Sequence, residues 1–292
     1  MCGRYAASRS PEDLAGLFEV EKWDPAETLV PDWNVAPTKQ VYAVLDRPVR
    51  GSDDPRPVRQ LRPLRWGLVP GWAKSPEMAV KMINARAETV HEKPAYRAPF
   101  AKRRCLLPAD GYYEWQEPTA STVPGEDPGR GGGTVPTPGQ RGGKKRTPKQ
   151  PYFVTPGNGS VLAMAGLYEF WRDRTLPDGH PQAWWATCTV ITTEAETGPL
   201  APEPDGDTGE DGPGTLAEIH PRMPLTLTPD RWGAWLDPAL GDGPELRELL
   251  APPPGGLMRA YPVGRAVSSV RNNGPELLEK EHAREPEEST LF

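Results

Sequence analysis

Proline and glycine interrupt this chain too often for long helices. The 292 residues include 38 prolines and 30 glycines. Proline lacks an amide donor and clashes inside a helix, and glycine weakens any regular element through its backbone entropy. Between the interruptions lie short runs rich in Val, Leu, Tyr, Trp and Thr, which predict strands at residues 40–45, 61–69, 104–115, 152–155, 161–171 and 183–192. Helices are few. Ser10-Pro11-Glu12-Asp13 offers an N-cap, a proline for the first turn and acids behind it, followed by Leu14, Leu17 and Phe18 at helical spacing. Thr228-Pro229-Asp230 starts a second helix in the same way, and residues 244–250 form a third. The pattern predicts a β-rich α+β single domain with a few peripheral helices.

The same two residue types mark where the chain should not fold. Residues 118–150 hold 14 Gly or Pro in 33 positions. Such a stretch buries too little apolar surface to offset its ordering entropy, so it predicts a disordered insertion. Residues 197–215 predict another, and residues 279–292 an acidic tail following a domain over residues 1–278. The net charge of −6 sits largely in these segments: 197–215 and the C-terminal end are acidic, and 118–150 is basic. The folded part is close to neutral, so a nucleic-acid partner would need a local basic groove. Three cysteines without Cys-x-x-Cys or Cys/His spacing predict neither a disulfide framework nor a zinc site. No metal and no cofactor is expected. No apolar run is long enough to span a membrane, and the first residues lack a signal-peptide core. A cytoplasmic monomer is expected.

Cys2 is the first candidate for chemistry. If Met1 is removed, Cys2 carries an α-amine, with a reference pKa of about 7.7–8.0, beside a thiol near 8.5. An aldehyde can form a Schiff base with that amine, and the thiol can then close a five-membered thiazolidine. A frayed terminus with no role would look the same at this point. Asn84, Arg86 and Glu88 alternate and would share one strand face; a solvated strand edge gives the same pattern. Glu114, among Tyr112, Tyr113 and Trp115, should be partly desolvated, which suits proton transfer. His220 lies in a loop stiffened by Pro221 and Pro224. Arg4, Arg65, Trp66, Trp72, Lys74, Arg86, Arg103 and Arg104 interleave aromatic and basic side chains, as single-strand binding needs, or as a core bordered by surface arginines would show. Cys105 and Cys188 lie in apolar strands and are expected in the core.

An ordered set of motifs then gives a family resemblance. They are Met1-Cys2-Gly3-Arg4-Tyr5, Trp33-Asn34-Val35-Ala36-Pro37, Arg65-Trp66-Gly67-Leu68-Val69-Pro70-Gly71-Trp72, Ile83-Asn84-Ala85-Arg86-Ala87-Glu88, the run from Arg104 to Trp115, Ala165-Gly166-Leu167, Ile219-His220-Pro221-Arg222-Met223-Pro224, and residues 267–275. Together they resemble the SOS-response-associated peptidase (SRAP) family of abasic-site processing proteins over nearly the whole chain. The resemblance implies a β-rich α+β fold with strongly bent antiparallel sheets and a positively charged channel. It implies that Cys2, freed of Met1, forms a thiazolidine crosslink with the ring-opened abasic sugar in single-stranded DNA, shielding the lesion in the SOS response. Asn84 would position the sugar, Glu114 would move protons, and His220 would support the same steps. Arg4 and Arg86 would bind phosphates, and Trp66 and Trp72 would form the aromatic neighbourhood of the groove. The family also carries a proposed peptidase (hydrolase, protease) activity tied to exposing Cys2, and an associated lyase activity through the Schiff base. The protein would be nucleoid-associated when on DNA.

Residue 73 is Ala where relatives often carry a second aromatic, which would weaken stacking. The insertion adds Lys144, Lys145, Arg146 and Lys149 directly after the strand of Glu114. Two other readings remain. An N-terminal-nucleophile amidohydrolase, such as a glutamine amidotransferase, also begins Met-Cys-Gly and would release ammonia from glutamine. A plain single-strand binding module would bind intact and abasic strands equally and need neither Cys2 nor Glu114.

Overall fold

The computed structural model describes residues 2–49, 51–118, 148–202 and 212–281. Two sheets carry the fold. In the first, β3 (Gln40–Arg47), β4 (Val58–Trp66), β6 (Arg104–Ala109), β9 (Leu162–Arg172) and β10 (Trp184–Glu194) close a five-stranded barrel in the order β10-β4-β3-β6-β9, with β9 returning to β10. Two short strands extend it from β10: β5 (Asn84–Arg86), parallel, and β11 (Arg222–Pro224), antiparallel. The second sheet is antiparallel throughout, in the order β12 (Met258–Pro262), β8 (Gln150–Pro156), β7 (Gly111–Gln116), β1 (Tyr5–Ala7), β2 (Asp32–Val35). The β-rich α+β expectation holds. The pairing is antiparallel except at β10, which runs parallel to β4 in the barrel and to β5 beside it.

The single strand expected over 104–115 is two strands in two sheets. The chain leaves the barrel at Ala109 and enters the second sheet at Gly111. Between them Asp110 accepts from the Ser8 amide at 2.6 Å, and its carbonyl accepts from the Thr155 hydroxyl at 2.7 Å. A side chain at 111 has no room: a Cβ there would lie 2.5 Å from the Val154 carbonyl oxygen and 2.4 Å from the Phe153 ring. The strand expected over 61–69 ends at Trp66 because Gly67 turns the chain at φ +125°.

Helices sit at the margins. Ser10 caps α1 (Pro11–Leu17) by accepting from the Asp13 amide, as its sequence predicts. The other helices are α2 (Arg97–Lys102), α3 (Leu216–Ile219), α4 (Pro229–Leu236) and α5 (Pro244–Glu248). One core, with Tyr5, Val35, Leu64, Trp66, Leu107, Met164 and Val190, joins the sheets. A second, with Leu14, Phe18, Phe100, Trp232 and Trp235, fills the space under the helices. Cys105 and Cys188 are buried in the first, as expected. Arg104, grouped by sequence with phosphate-facing residues, is buried instead. Its guanidinium donates to the carbonyls of Trp235, Phe100, Asp237 and Leu240, tying α4 and α2 to the barrel. Burial pulls its pKa down to about 10, so it stays charged.

The segments expected to be disordered lie mostly outside the described residues, but their edges do not match the expected bounds. Gln150 already belongs to β8. Leu200 donates its amide to Gly214, and Ala201 to Met258. Thr215 caps α3 through the Glu218 amide. The fold continues past residue 278, since the Glu281 amide donates to Pro262. The edges of the 197–215 segment are held because Leu200 and Leu216 pack on the first core. Lys144, Lys145 and Arg146 lie outside the described residues, whereas Lys149 pairs with Glu117 at 2.5 Å. No helix among the described residues is long and apolar enough to cross a membrane.

Candidate active site

The residues before β1 lie along β7. Tyr5 faces Tyr112 and Ala6 faces Gly111. The Tyr113 amide donates to the Arg4 carbonyl at 2.9 Å, so continuing the same register sets Gly3 opposite Glu114. Cys2 is completely buried in the core between the sheets. Its carbonyl accepts from Asn84 Nδ2 at 2.8 Å. Burial pushes the Cys2 thiol well above its ordinary range, and the nearby Glu114 charge adds to the shift.

Glu114 is 5% exposed. Desolvation raises its carboxyl to about 7, against the pull of Lys149. It is thus poised between its two protonation states near neutral pH, while an exposed glutamate would be fully ionised.

Asn84 comes from the other sheet. The strand β5 that carries it is pinned on both sides: Ile83 O accepts from the Trp66 indole at 2.9 Å and from the Val190 amide at 3.0 Å, and Asn84 O accepts from the Tyr96 hydroxyl at 3.1 Å. With its Nδ2 held on Cys2, its Oδ1 is buried and takes no donor among the described residues.

His220 follows α3, which packs against β7 and receives the Gln116 side chain on its Glu218 carbonyl. The imidazole is half-buried. Its Nδ1 lies 3.0 Å from both the amide nitrogen and the carbonyl oxygen of Arg222, so the Arg222 backbone holds the ring in place. Burial lowers its pKa, so it is neutral at pH 7. Lys149 acts electrostatically on both Glu114 and His220.

The residues expected to hold DNA divide. Arg86 is exposed in β5, and Trp72 is 62% exposed. Its turn is fastened by the Trp171 indole, which donates to Ala73 O at 2.7 Å. Trp66 is fully buried, edge-on to Tyr5 with ring centroids 5.1 Å apart. It lies in the same core as Cys2 and has no exposed face to stack on a strand, a correction to its expected place. Arg4 is half-buried: its Nη1 donates to Asn34 Oδ1 at 2.6 Å and Val267 O at 2.8 Å, and its guanidinium lies 5.7 Å from the centre of the Trp115 ring. Arg103 pairs with Glu169, and Arg65 lies over Trp185. Glu88 does not share a strand face with Asn84 and Arg86, because β5 ends at Arg86.

Sequence reasoning gave no role to Asn34. This wholly buried side chain receives Arg4 and donates to the carbonyls of Val267, Ser269 and Asn272, binding the start of the chain to its far end. A polar residue at an apolar position of Trp33-Asn34-Val35 was the available signal.

Cys2 is thus buried close to the raised Glu114 carboxyl, with its carbonyl held by the Asn84 amide. The family described as SOS response associated peptidase (SRAP) matches residues 1–128 and 138–270, and the chain belongs to that family. It is 34% identical to the Abasic site processing protein YoqW of Bacillus subtilis, over 96% of this chain and 99% of the relative. It is 33% identical to YoaM of the same organism, over 97% and 99%, and 30% identical to the Abasic site processing protein HMCES of Gallus gallus, over 95% and 77%. A crystal structure of a protein from Bacteroides thetaiotaomicron shares the fold, with a TM-score of 0.67 and 24% identity over 96% of this chain and all of that one.

Proposed function

We propose that this protein processes abasic sites by capturing them in single-stranded DNA through Cys2, once Met1 is gone. The observation that carries the reading is the burial of Cys2 against Glu114, whose carboxyl is raised to about 7. A thiol pushed up by burial is a poor first nucleophile at neutral pH. The α-amine therefore attacks the aldehyde of the ring-opened sugar. Glu114 in its acid form protonates the departing hydroxyl, water leaves, and a Schiff base forms. The carboxylate so produced then takes the thiol proton as sulfur adds to the imine carbon, and the imine nitrogen gains a proton. The product is a thiazolidine, with all atoms of the aldehyde and Cys2 retained except one water.

Asn84 holds the Cys2 backbone with its amide nitrogen and offers its buried Oδ1 to a sugar hydroxyl. His220, its pKa lowered by burial and its ring held by the Arg222 backbone, exchanges a proton with the sugar as the ring opens. Arg86 and the remaining donors of Arg4 meet phosphates, and Trp72 stacks on a base. Loss of Met1 is the step to which a peptidase activity would belong, and the Schiff base also permits β-elimination of the strand.

Purified protein with Met1 loss confirmed by intact mass, mixed with a single-stranded oligonucleotide holding one abasic site, tests this. A product that survives heat and denaturant and is lost in Cys2→Ala supports capture. No such product from correctly processed protein removes the reading.

A further inference from the structure

Glu88 takes no part in the steps above, yet it is tied to two of their residues. It lies just beyond β5, two residues after Arg86, and its carboxylate receives both arms of Arg222, Nη1 to Oε1 at 2.7 Å and Nη2 to Oε2 at 3.0 Å. The two-point contact fixes the plane of the guanidinium as well as its position. The pair is partly shielded, with the Arg222 side chain 16% exposed and that of Glu88 44%. The hydrogen bonds from Arg222 hold the Glu88 carboxyl below its ordinary range.

Arg222 in turn reaches the site through its own backbone and side chain. Its guanidinium donates to Thr192 O at 2.6 Å, and the same oxygen accepts from the Ala87 amide at 2.9 Å. Thr192 of β10 faces Arg86 of β5 on one side and Pro224 of β11 on the other. The Arg222 backbone meets the His220 Nδ1 with its amide nitrogen and its carbonyl oxygen, each at 3.0 Å, and so orients the ring. One ion pair therefore joins the end of the strand that carries Asn84 to the loop that carries His220, across the strand between them.

We propose that Glu88 is a positioning residue: through Arg222 it holds the His220 ring in the orientation that the reaction uses, in register with Asn84. The inference rests on the capture reading for its kinetic consequence only. A brace with a purely structural role would affect folding without acting through His220, and the two are separable.

Two measurements test it. The first needs no DNA. Nitrogen-15 spectra of the four histidines, with His220 identified by its absence in His220→Ala, report the tautomer of the neutral ring at pH 8. Wild-type His220, held by the Arg222 backbone, should show one predominant tautomer. Glu88→Ala should move it toward a mixture of tautomers, Glu88→Gln should move it less, and Glu88→Asp should restore it in part. An unchanged His220 signal in both Glu88→Ala and Glu88→Gln overturns the proposal. Glu88→Gln, close in shape, carries the comparison if the alanine variant does not fold.

The second is the single-turnover crosslinking rate at saturating abasic DNA. Glu88→Ala should slow it about tenfold, within the share a well-placed acid–base group contributes, with DNA affinity unchanged. In a His220→Ala background the same substitution should add nothing. Equal slowing in both backgrounds sinks the proposal. If wild-type protein forms no crosslink, the capture reading fails, and the spectra still decide the place of Glu88.

Discussion

Glu114 ionises against its surroundings, and this sets its expected behaviour. Glu114→Gln keeps the shape and removes the exchangeable proton. It should slow capture by about 10²-fold or more, the lower end for a general acid–base group, and erase the limb of the rate profile centred near pH 7, while single-strand affinity is retained. Loss of affinity along with rate would show that Glu114 also binds. The two tryptophans of one motif should part in the same way. Trp66, fully buried in the core, should cost about 3–5 kcal/mol of stability when truncated to Ala. Trp72→Ala, at an exposed position, should leave the melting temperature unchanged and weaken binding to intact single strands by about 1–3 kcal/mol. The sequence places both in Arg65-Trp66-Gly67-Leu68-Val69-Pro70-Gly71-Trp72 and cannot tell them apart, since burial depends on which strand Gly67 turns away from.

At the scale of elements, the passage from β6 to β7 decides most. The same run of residues feeds the barrel and then the second sheet, and Glu114 reaches Cys2 only because the change of sheet happens at Asp110 and Gly111. A Cβ at 111 would press on the Val154 carbonyl and the Phe153 ring. Gly111→Ala should therefore destabilise the fold by about 1–3 kcal/mol and slow capture by shifting β7; chemical denaturation and the crosslinking rate measure the two effects. Apolar alternation predicted strand across this run but not its break, because a buried segment reads as a continuous strand whichever sheet covers it. Strands β1, β2 and β12 were not legible either. They are short, and they pair with partners far along the chain.

For the whole molecule, Glu114 also links stability to pH. An unfolded glutamate loses its proton near 4.5, whereas the folded one does so near 7. Between those values the folded chain holds a proton that the unfolded chain has released, so rising pH lowers stability across that window. At about 1.36 kcal/mol per pKa unit the full difference approaches about 3 kcal/mol above neutral pH. Glu114→Gln has no such term. Its melting temperature should gain on that of the wild type from pH 4.5 to 8, and parallel curves would show that Glu114 is not the group responsible. Burying Glu114 thus costs stability as the pH rises, as it does for any carboxyl whose pKa is raised by desolvation.

The sequence by itself determined the β-rich class, the helix starts at Ser10 and Thr228, the core cysteines, and the residue types on which the site depends. These rest on local rules: capping, alternation, and the aversion of Gly and Pro for regular elements. Only the tertiary structure decided that Trp66 and Arg104 are interior, that Asn34 ties the two ends of the chain together, and that Glu88 leans on Arg222 instead of sharing a face with Asn84. Each of these depends on pairings between distant strands, above all β1 with β7 and β5 with β10. No local pattern encodes such a pairing, because the hydrogen bonds that make it come from backbone groups every residue shares.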